Sequence, residues 1–471
     1  MKSRSLIRQS LGIILLLAIS LASAAEPLRL GPGPQLFVDD HLIAEQTFLS
    51  RTVNQPVKLP DPVITAKGGD YNHQPYLTVL RDPDTGRFRV WYNTPVTYGR
   101  SHLAYMESTD GIHWIRPFRL LQDPSWINYG ASVIDRGRDF KPSDERYAFA
   151  FWHDGGTRIA VSPDGLDWRM ISSDPVWRHN HDITSLRWDP IRKHYFLIGT
   201  VKMPGPLWKG DKEGQRIPHQ TVSKDLLTWE EKWPIIFPKS GAPIEQGETQ
   251  FYSMSGVITR GELMIGLVKV LRDDLNATPG KSKEEMGDTD KKRKAAGLGY
   301  TVLAWTRDGR HWQRDHEPFL LNDPDPARWD HAMAWGDDQV LVGDETYIYY
   351  GGYQFGHKAA RYEARQLGIA RMPRDRYVAR EADLNPGHLV TRPLSFTAGT
   401  LSVNARIMGA MRVRLLDAGG QPLGDYGWVE LKGDSVKLPI SWPKGLAALS
   451  GKAVRLEFEL TQSQLFGFQL D

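Results

Sequence analysis

The sequence predicts an all-β protein: a five-bladed β-propeller followed by a small C-terminal β-sandwich. Three observations predict it. Strand-like alternation broken by Gly, Asp, Asn and Pro runs along the chain, helical periodicity is scarce, and Gly and Pro number 44 and 31. Four segments nearly repeat: Ser108-Thr-Asp-Gly-Ile-His-Trp114, Ser162-Pro-Asp-Gly-Leu-Asp-Trp168, Ser223-Lys-Asp-Leu-Leu-Thr-Trp229 and Thr306-Arg-Asp-Gly-Arg-His-Trp312. Their spacings of 54, 61 and 83 residues are too long for a solenoid and suit a radial array of small sheets. Finally, four strands can be laid around each repeat, and a fifth unit of similar length follows.

The elements fall in order. Leu36-Phe-Val-Asp-Asp-His-Leu-Ile43 is a strand-like lead-in, and whether it also closes the ring is open. The first unit reads as strands over 73–81, 87–93, 101–108 and 113–118. The second reads as 130–136, 146–152, 157–162 and 167–171. The third reads as 183–189, 194–201, 219–223 and 228–232, and the fourth as 250–259, 262–271, 299–306 and 311–315. Asp-Gly between two strands is a strong hairpin signal, because Gly accepts positive φ without steric cost. The Trp that follows is expected to anchor the outer strand against the next sheet. The fifth unit begins at Trp329, runs through 346–353 and 366–371, and ends near Tyr377. Its hairpin, Arg371-Met-Pro-Arg-Asp-Arg-Tyr377, has lost the Asp-Gly signature. Beyond Asn385-Pro-Gly, alternation such as Val454-Arg-Leu-Glu-Phe-Glu-Leu reads as the sandwich. The expected boundaries are 25–60 for the lead-in, 61–382 for the propeller and 383–471 for the sandwich.

Residues 1–24 read as a signal peptide. Lys2, Arg4 and Arg8 precede an apolar run from Leu11 to Leu21, then Ala22-Ser-Ala24. The run is short for a bilayer span, so none is expected after cleavage. Its removal leaves 56 basic against 56 acidic residues, so global charge makes no case for nucleic acid. The chain has no cysteine, so its cores alone hold it; a periplasmic or extracellular location in a Gram-negative-type bacterium fits.

In a propeller, the loops entering the inner strands share a face with the loops joining second and third strands. The entry loops carry Asp70, His73, Asn128, His179, His181, Asp182, Glu245, Glu248, Asp330 and His331. The others carry Tyr98, Arg100, His153, Trp208, Arg216, His357 and Arg361. Carboxylates gathered at one channel mouth are what glycoside hydrolysis needs: one activates water and one protonates the leaving oxygen. The assignment is Asp70 as base, Glu248 or Glu245 as acid and Asp182 as positioning carboxylate, with Asp330 in reserve. The competing reading is that such residues cap turns. His73, His153, His181 and His357 would hydrogen-bond substrate, Arg100, Arg216 and Arg361 would grip an anionic group, and Tyr98 and Trp208 would line the sugar. No cofactor is required. A single calcium or zinc ion in the channel would take His331 and His181 as first ligands. The mixed-sign stretch from Arg272 to Lys294 reads as a solvated loop in its middle, or a lid if it orders over the pocket.

With these residues in hand, the chain resembles the five-bladed propeller glycoside hydrolases, the group including families 32, 43, 68, 117 and 130. The resemblance covers roughly residues 36 to 380 and rests on five units, the Ser-x-Asp-Gly-x-x-Trp hairpins and acidic inner-strand entries. The lead-in and C-terminal part resemble exported planctomycete-type proteins related to family 32. The resemblance implies attack at an anomeric carbon of a carbohydrate substrate. The family 32 pattern Trp-Met-Asn-Asp-Pro-Asn-Gly is absent, with Asp70-Tyr-Asn-His-Gln-Pro75 near its place, which speaks against fructan hydrolysis. Sialidase hairpins carry one more residue between Asp and Gly. The leading expectation is an exo-acting hydrolase of a plant or algal saccharide, anionic ones included. A polysaccharide lyase and a non-catalytic carbohydrate-binding protein are the alternatives, and oligomeric state is open.

Overall fold

The computed structural model describes residues 26–65, 74–203, 215–238, 249–288, 290–291 and 294–471. The leader and the site candidates Asp70, His73, Trp208, Glu245 and Glu248 lie outside them. No helix among the described residues is long and apolar enough to cross a membrane.

Five antiparallel units built on four strands each follow one another; the second gains a further strand, Trp177–Arg178, and a parallel bridge from Gly299 to Met333 joins the fourth to the fifth. The first is Gln74–Arg81, Phe88–Thr97, Arg100–Ser108 and Arg119–Leu120; the second is Tyr129–Asp135, Tyr147–His153, Gly156–Ser162 and Arg169–Met170. The third is Thr184–Asp189, His194–Met203, Gln215–Ser223 and Trp233–Pro234; the fourth is Thr249–Arg260, Leu263–Arg272, Leu298–Thr306 and Gln313–Arg314. The fifth has Met333–Val342, Glu345–Tyr353 and Arg365–Pro373, and its outermost strand is Val57–Lys58 from the lead-in. The fifth hairpin expected at 371–377 does not form. Asp375 takes a left-handed φ of 66°, and the chain turns out of the unit into Val378–Ala382 of the C-terminal sheet. The lead-in strand fills the vacated edge, which removes an unpaired strand.

Apolar residues on both faces of each unit form five cores between neighbours. Trp91 and Phe149 meet between units one and two, Ile159 and Leu197 between two and three, and Phe196 and Val268 between three and four. Leu303 and Ile348 meet between four and five, and Val90 and Tyr349 between five and one. The five cores therefore close into a cycle. Each fully buried side chain of this size contributes roughly 1.5–3 kcal/mol relative to exposure.

The repeated hairpins join the sheets. In each, the Ser or Thr hydroxyl accepts a backbone N–H three residues on, and the Asp carboxylate accepts two more; Asp110 takes those of Ile112 and His113 at 2.9 and 2.8 Å. Gly111, Gly165 and Gly309 sit at φ of 76°, 80° and 69°, and Leu226 holds the same place at 68°. Three turn carbonyls accept a bond from the preceding unit: Gly111 from Tyr349 (3.0 Å), Gly165 from Trp91 (2.7 Å) and Gly309 from Gln220 (2.7 Å). The repeat tryptophans also turn backwards. Trp114 packs with the fifth unit and Trp312 donates to Gln220 Oε1 of the third, so each anchors against the preceding sheet, not the next. In three of the four hairpins the turn before the Trp is itself bonded to that preceding unit, which draws the ring the same way.

The C-terminal part was expected to be a sandwich over 383–471. Its strands belong to one hydrogen-bonded ten-stranded sheet, with the N-terminal strands woven in. The 17-residue strand Val454–Leu470 is its hub, pairing with Leu401–Asp417 on one side. On its other side it pairs with Gly33–Leu36, Val378–Ala382, Gly387–Thr391 and Leu394–Ser395. Phe37, Leu389, Val413 and Phe458 fill one core beneath it. Bidentate pairs lock this sheet to the ring: Arg51 with Asp315 at 2.7 and 3.0 Å, and Arg260 with Asp375 at 2.6 Å twice.

Candidate active site

A cavity of about 400 Å³ opens where the inner strands of all five units begin. Its floor is aromatic. Tyr252 stacks on Trp335 at 4.8 Å and 19°, and Tyr76 donates to the Tyr252 hydroxyl at 3.4 Å. Trp335 is held by its Nε1 donating to the Val270 carbonyl at 2.8 Å, and Gly299 makes room for it. Tyr129, Trp152 and Tyr353 continue the wall, and Tyr98 stands 78% exposed at the rim.

Asp182 is the one carboxylate lining this cavity among the described residues, with its side chain 19% exposed. Burial pushes its carboxyl up, but His181, Arg216 and Arg361 outweigh that and hold it at about 2. His181 Nδ1 lies 2.9 Å from Asp182 Oδ1, though the two are not aligned for a linear hydrogen bond. Arg216 Nε donates to His181 Nε2 at 2.8 Å. A guanidinium can only donate, so Nε2 accepts and the imidazole proton sits on Nδ1, facing Asp182. Burial lowers the His181 pKa, which keeps the ring neutral. The result is a chain Arg216–His181–Asp182 with a permanently ionised end.

Cations crowd the rest of the wall. Lys202, Arg216, Lys358, Arg361 and Arg365 all line the cavity. Lys358 pairs with Asp290 and Arg365 donates to the His357 carbonyl at 2.5 Å. His357 meets the Tyr252 and Trp335 rings edge-on at 4.7 and 5.6 Å. The stretch from Arg272 to Lys294 is exposed in its middle, where 279–282, Glu284 and Glu285 face solvent, and is tied down around it. Met286 and Asp288 are buried, Thr278 bonds His331, and Asp290 holds Lys358 at the cavity rim.

The structure thus brings together Tyr98, His181, Asp182, Arg216, His357 and Arg361 of the expected set. It does not bring Asp330 to the cavity. That carboxylate is buried, 2.6 Å from Lys58 Nζ and 3.0 Å from the Tyr350 hydroxyl, so it ties the closing strand to the fifth unit. His331 is likewise occupied, by Thr278 Oγ1 at 3.0 Å and the Asp323 carbonyl at 2.8 Å. Among the described residues no group of three His, Asp or Glu side chains gathers to hold a metal. His153 bonds Asn128 at 2.7 Å and Arg100 covers the Trp126 ring at 4.1 Å, both outside the cavity wall. His179 stacks on Trp177 at 4.5 Å and bonds Thr157 at 2.8 Å. Sequence reasoning missed Tyr76, Trp152, Tyr252, Trp335 and Tyr353 as cavity walls. Their signal was present: an aromatic at or near the cavity end of a first or second strand of its unit.

Beneath Tyr76 a void of about 20 Å³ runs on between the inner strands, lined by Thr78, Ser132, Ser185, Ser253 and the buried pair Lys269–Asp337. Burial pushes the Asp337 carboxyl up against the pull of Lys269. A larger cavity of about 760 Å³ lies on the C-terminal sheet between Phe48, Arg406 and Gln462. It lacks the buried, charge-coupled groups that gather around Asp182.

No protein-family model matches the chain, and no curated protein matches it. Solved structures do. A thermostable family-43 glycoside hydrolase shares 14% identity over 65% of this chain and 91% of its own, with a TM-score of 0.46. An N-acetylgalactosamine deacetylase from F. plautii, in complex with blood group B trisaccharide, shares 15% over 70% and 96%, with a TM-score of 0.43. A Bombyx mori β-fructofuranosidase of family 32 shares 11% over 93% and 93%, with a TM-score of 0.38. At these values substrate and catalytic residues must be argued from the site itself.

Proposed function

We propose that the chain is an exported glycoside hydrolase acting from the end of a carbohydrate chain, on a five-bladed propeller scaffold. The observation that carries this reading is Asp182: a carboxylate held ionised by His181 and Arg216 beside an aromatic floor, in a pocket lined by residues of all five units. An ionised carboxylate cannot donate a proton. It can stabilise the positive charge that develops at an anomeric carbon, or activate water. Aromatic faces such as Tyr252 and Trp335 pack against the C–H faces of a sugar ring. The proton donor is proposed to be Glu248 or Glu245 and the base Asp70. Glu248 is covalently next to Thr249, whose strand carries Tyr252 into the cavity.

A second reading has one observation in its favour. Several cations and tyrosines face a single described carboxylate, which also suits β-elimination of a uronate by a lyase. A polysaccharide screen that detects both new reducing ends and ultraviolet-absorbing unsaturated products separates the two. Reducing ends alone, lost in Asp182→Asn and Glu248→Gln, support hydrolysis. Unsaturated products sink it, and so does full activity in both variants.

A further inference from the structure

Resting on the reading of this cavity as a carbohydrate site, its three arginines and Lys358 divide into two kinds. Arg216 supports His181, and Lys358 is neutralised by Asp290. Among the described residues, Arg361 and Arg365 have no carboxylate within ion-pair distance. Arg365 is buried and spends its terminal nitrogens on Gln74 and the His357 carbonyl. Arg361 does not. Its guanidinium lies between the Tyr98 and Tyr129 rings, 5.2 and 5.8 Å from their centroids. Among the described residues its one hydrogen bond is a long one, 3.3 Å from Nη2 to the Tyr129 hydroxyl, and its buried Nε–H meets no acceptor. The residue before it, Ala360, takes a left-handed φ of 43°, a conformation that costs a non-glycine residue energy. A cation held in place, short of acceptors and facing a cavity is a site for an anion.

We propose that Arg361, with the field of Arg365 behind it and Tyr98 and Tyr129 as walls, binds an oxyanion substituent of the sugar, a carboxylate or a sulfate. The substrate class is therefore an acidic saccharide. Arg361 grips the substituent through its terminal nitrogens, and the ring it belongs to lies over the Tyr252–Trp335 floor. Neutral sugars leave the guanidinium without its acceptor.

The test is calorimetric titration of the full chain with galacturonate, galactose 6-sulfate and galactose, on the wild type and on Arg361→Gln and Arg361→Lys. At least one acidic sugar should bind about tenfold or more tightly than galactose, since charged hydrogen bonds carry that much. That preference should weaken with salt and vanish in Arg361→Gln. Arg361→Lys should keep part of it, which separates charge from fold. The acidic sugar that wins identifies the group. Equal affinity for all three, no binding of any, or an unchanged preference in Arg361→Gln overturns the proposal. An acidic preference with unsaturated products would leave this inference standing and remove the hydrolase reading. Hydrolysis of neutral glycosides, indifferent to Arg361, would do the reverse.

Discussion

Lys58 Nζ lies 2.6 Å from Asp330 Oδ2, across 272 residues of sequence, and the contact is nearly dry: Asp330 is 2% exposed. The pair joins the closing strand to the loop that enters the fifth inner strand. Asp330 is thereby taken out of the chemistry. Asp330→Asn leaves Lys58 half-buried without its counter-charge, and breaking such a pair costs about 3–5 kcal/mol. Chemical denaturation should show that loss, while turnover per folded molecule stays at the wild-type level. A collapse of turnover without a loss of stability would return Asp330 to the active site.

Asp182→Asn should do the opposite. The side chain keeps its volume and loses its charge, so turnover should fall by about 10²–10⁴ with the fold retained, as read by circular dichroism. The folded carboxyl titrates at about 2, below its ordinary 3.8. Its contribution to stability is therefore present above pH 3.8 and lost as pH falls toward 2. Acid unfolding of Asp182→Asn should lack that part of the wild-type slope.

His179 supplies a second pH dependence, in a different window. Burial lowers its pKa from 6.5 to about 4, so the folded state holds it neutral while the unfolded chain protonates it. Stability should be full above pH 6.5 and decline as pH falls toward 4, by up to about 3 kcal/mol. Urea midpoints of the wild type and His179→Gln should converge across that interval. Parallel curves would show that His179 does not titrate on unfolding.

Gly165→Ala should destabilise by about 1–3 kcal/mol. Its φ of 80° disfavours any side chain, and a methyl there would stand 2.8 Å from Trp91 Cζ2. The same change at Gly137, whose φ is 93° but whose surroundings are open, should cost the conformational part alone. Thermal midpoints of the two variants measure the difference, which belongs to the latch between the first two units.

Much of the scaffold was legible because its signals are local. Ser-x-Asp-Gly-x-x-Trp specifies a turn through bonds within six residues, so four hairpins could be placed from the sequence. Where the partner lies far along the chain, the sequence was silent. Val57–Lys58 completes a unit more than 300 residues later, and Gly33–Leu36 pairs with Leu470. Two residues of strand carry no periodicity by which to be recognised. The site divides in the same way. Asp182, Arg216 and Arg361 stood out as charged residues in loops of one face. Tyr252 and Trp335 look like core aromatics in sequence, because alternation marks a buried position without saying whether it faces a neighbouring sheet or a cavity. Asp330 failed for a related reason: an acidic residue at a strand entry reads the same whether it meets a substrate or a lysine.

The hub strand Val454–Leu470 has a consequence for how the molecule is made. Its partners include Gly33–Leu36 and strands between residues 378 and 395, so Gly33 must wait for Leu470, more than 430 residues further along the chain. The order of synthesis and the order of assembly therefore run against each other. The nascent chain would hold Gly33–Leu36 as a loose tether until the hub is made, while units whose strands pair locally can assemble first.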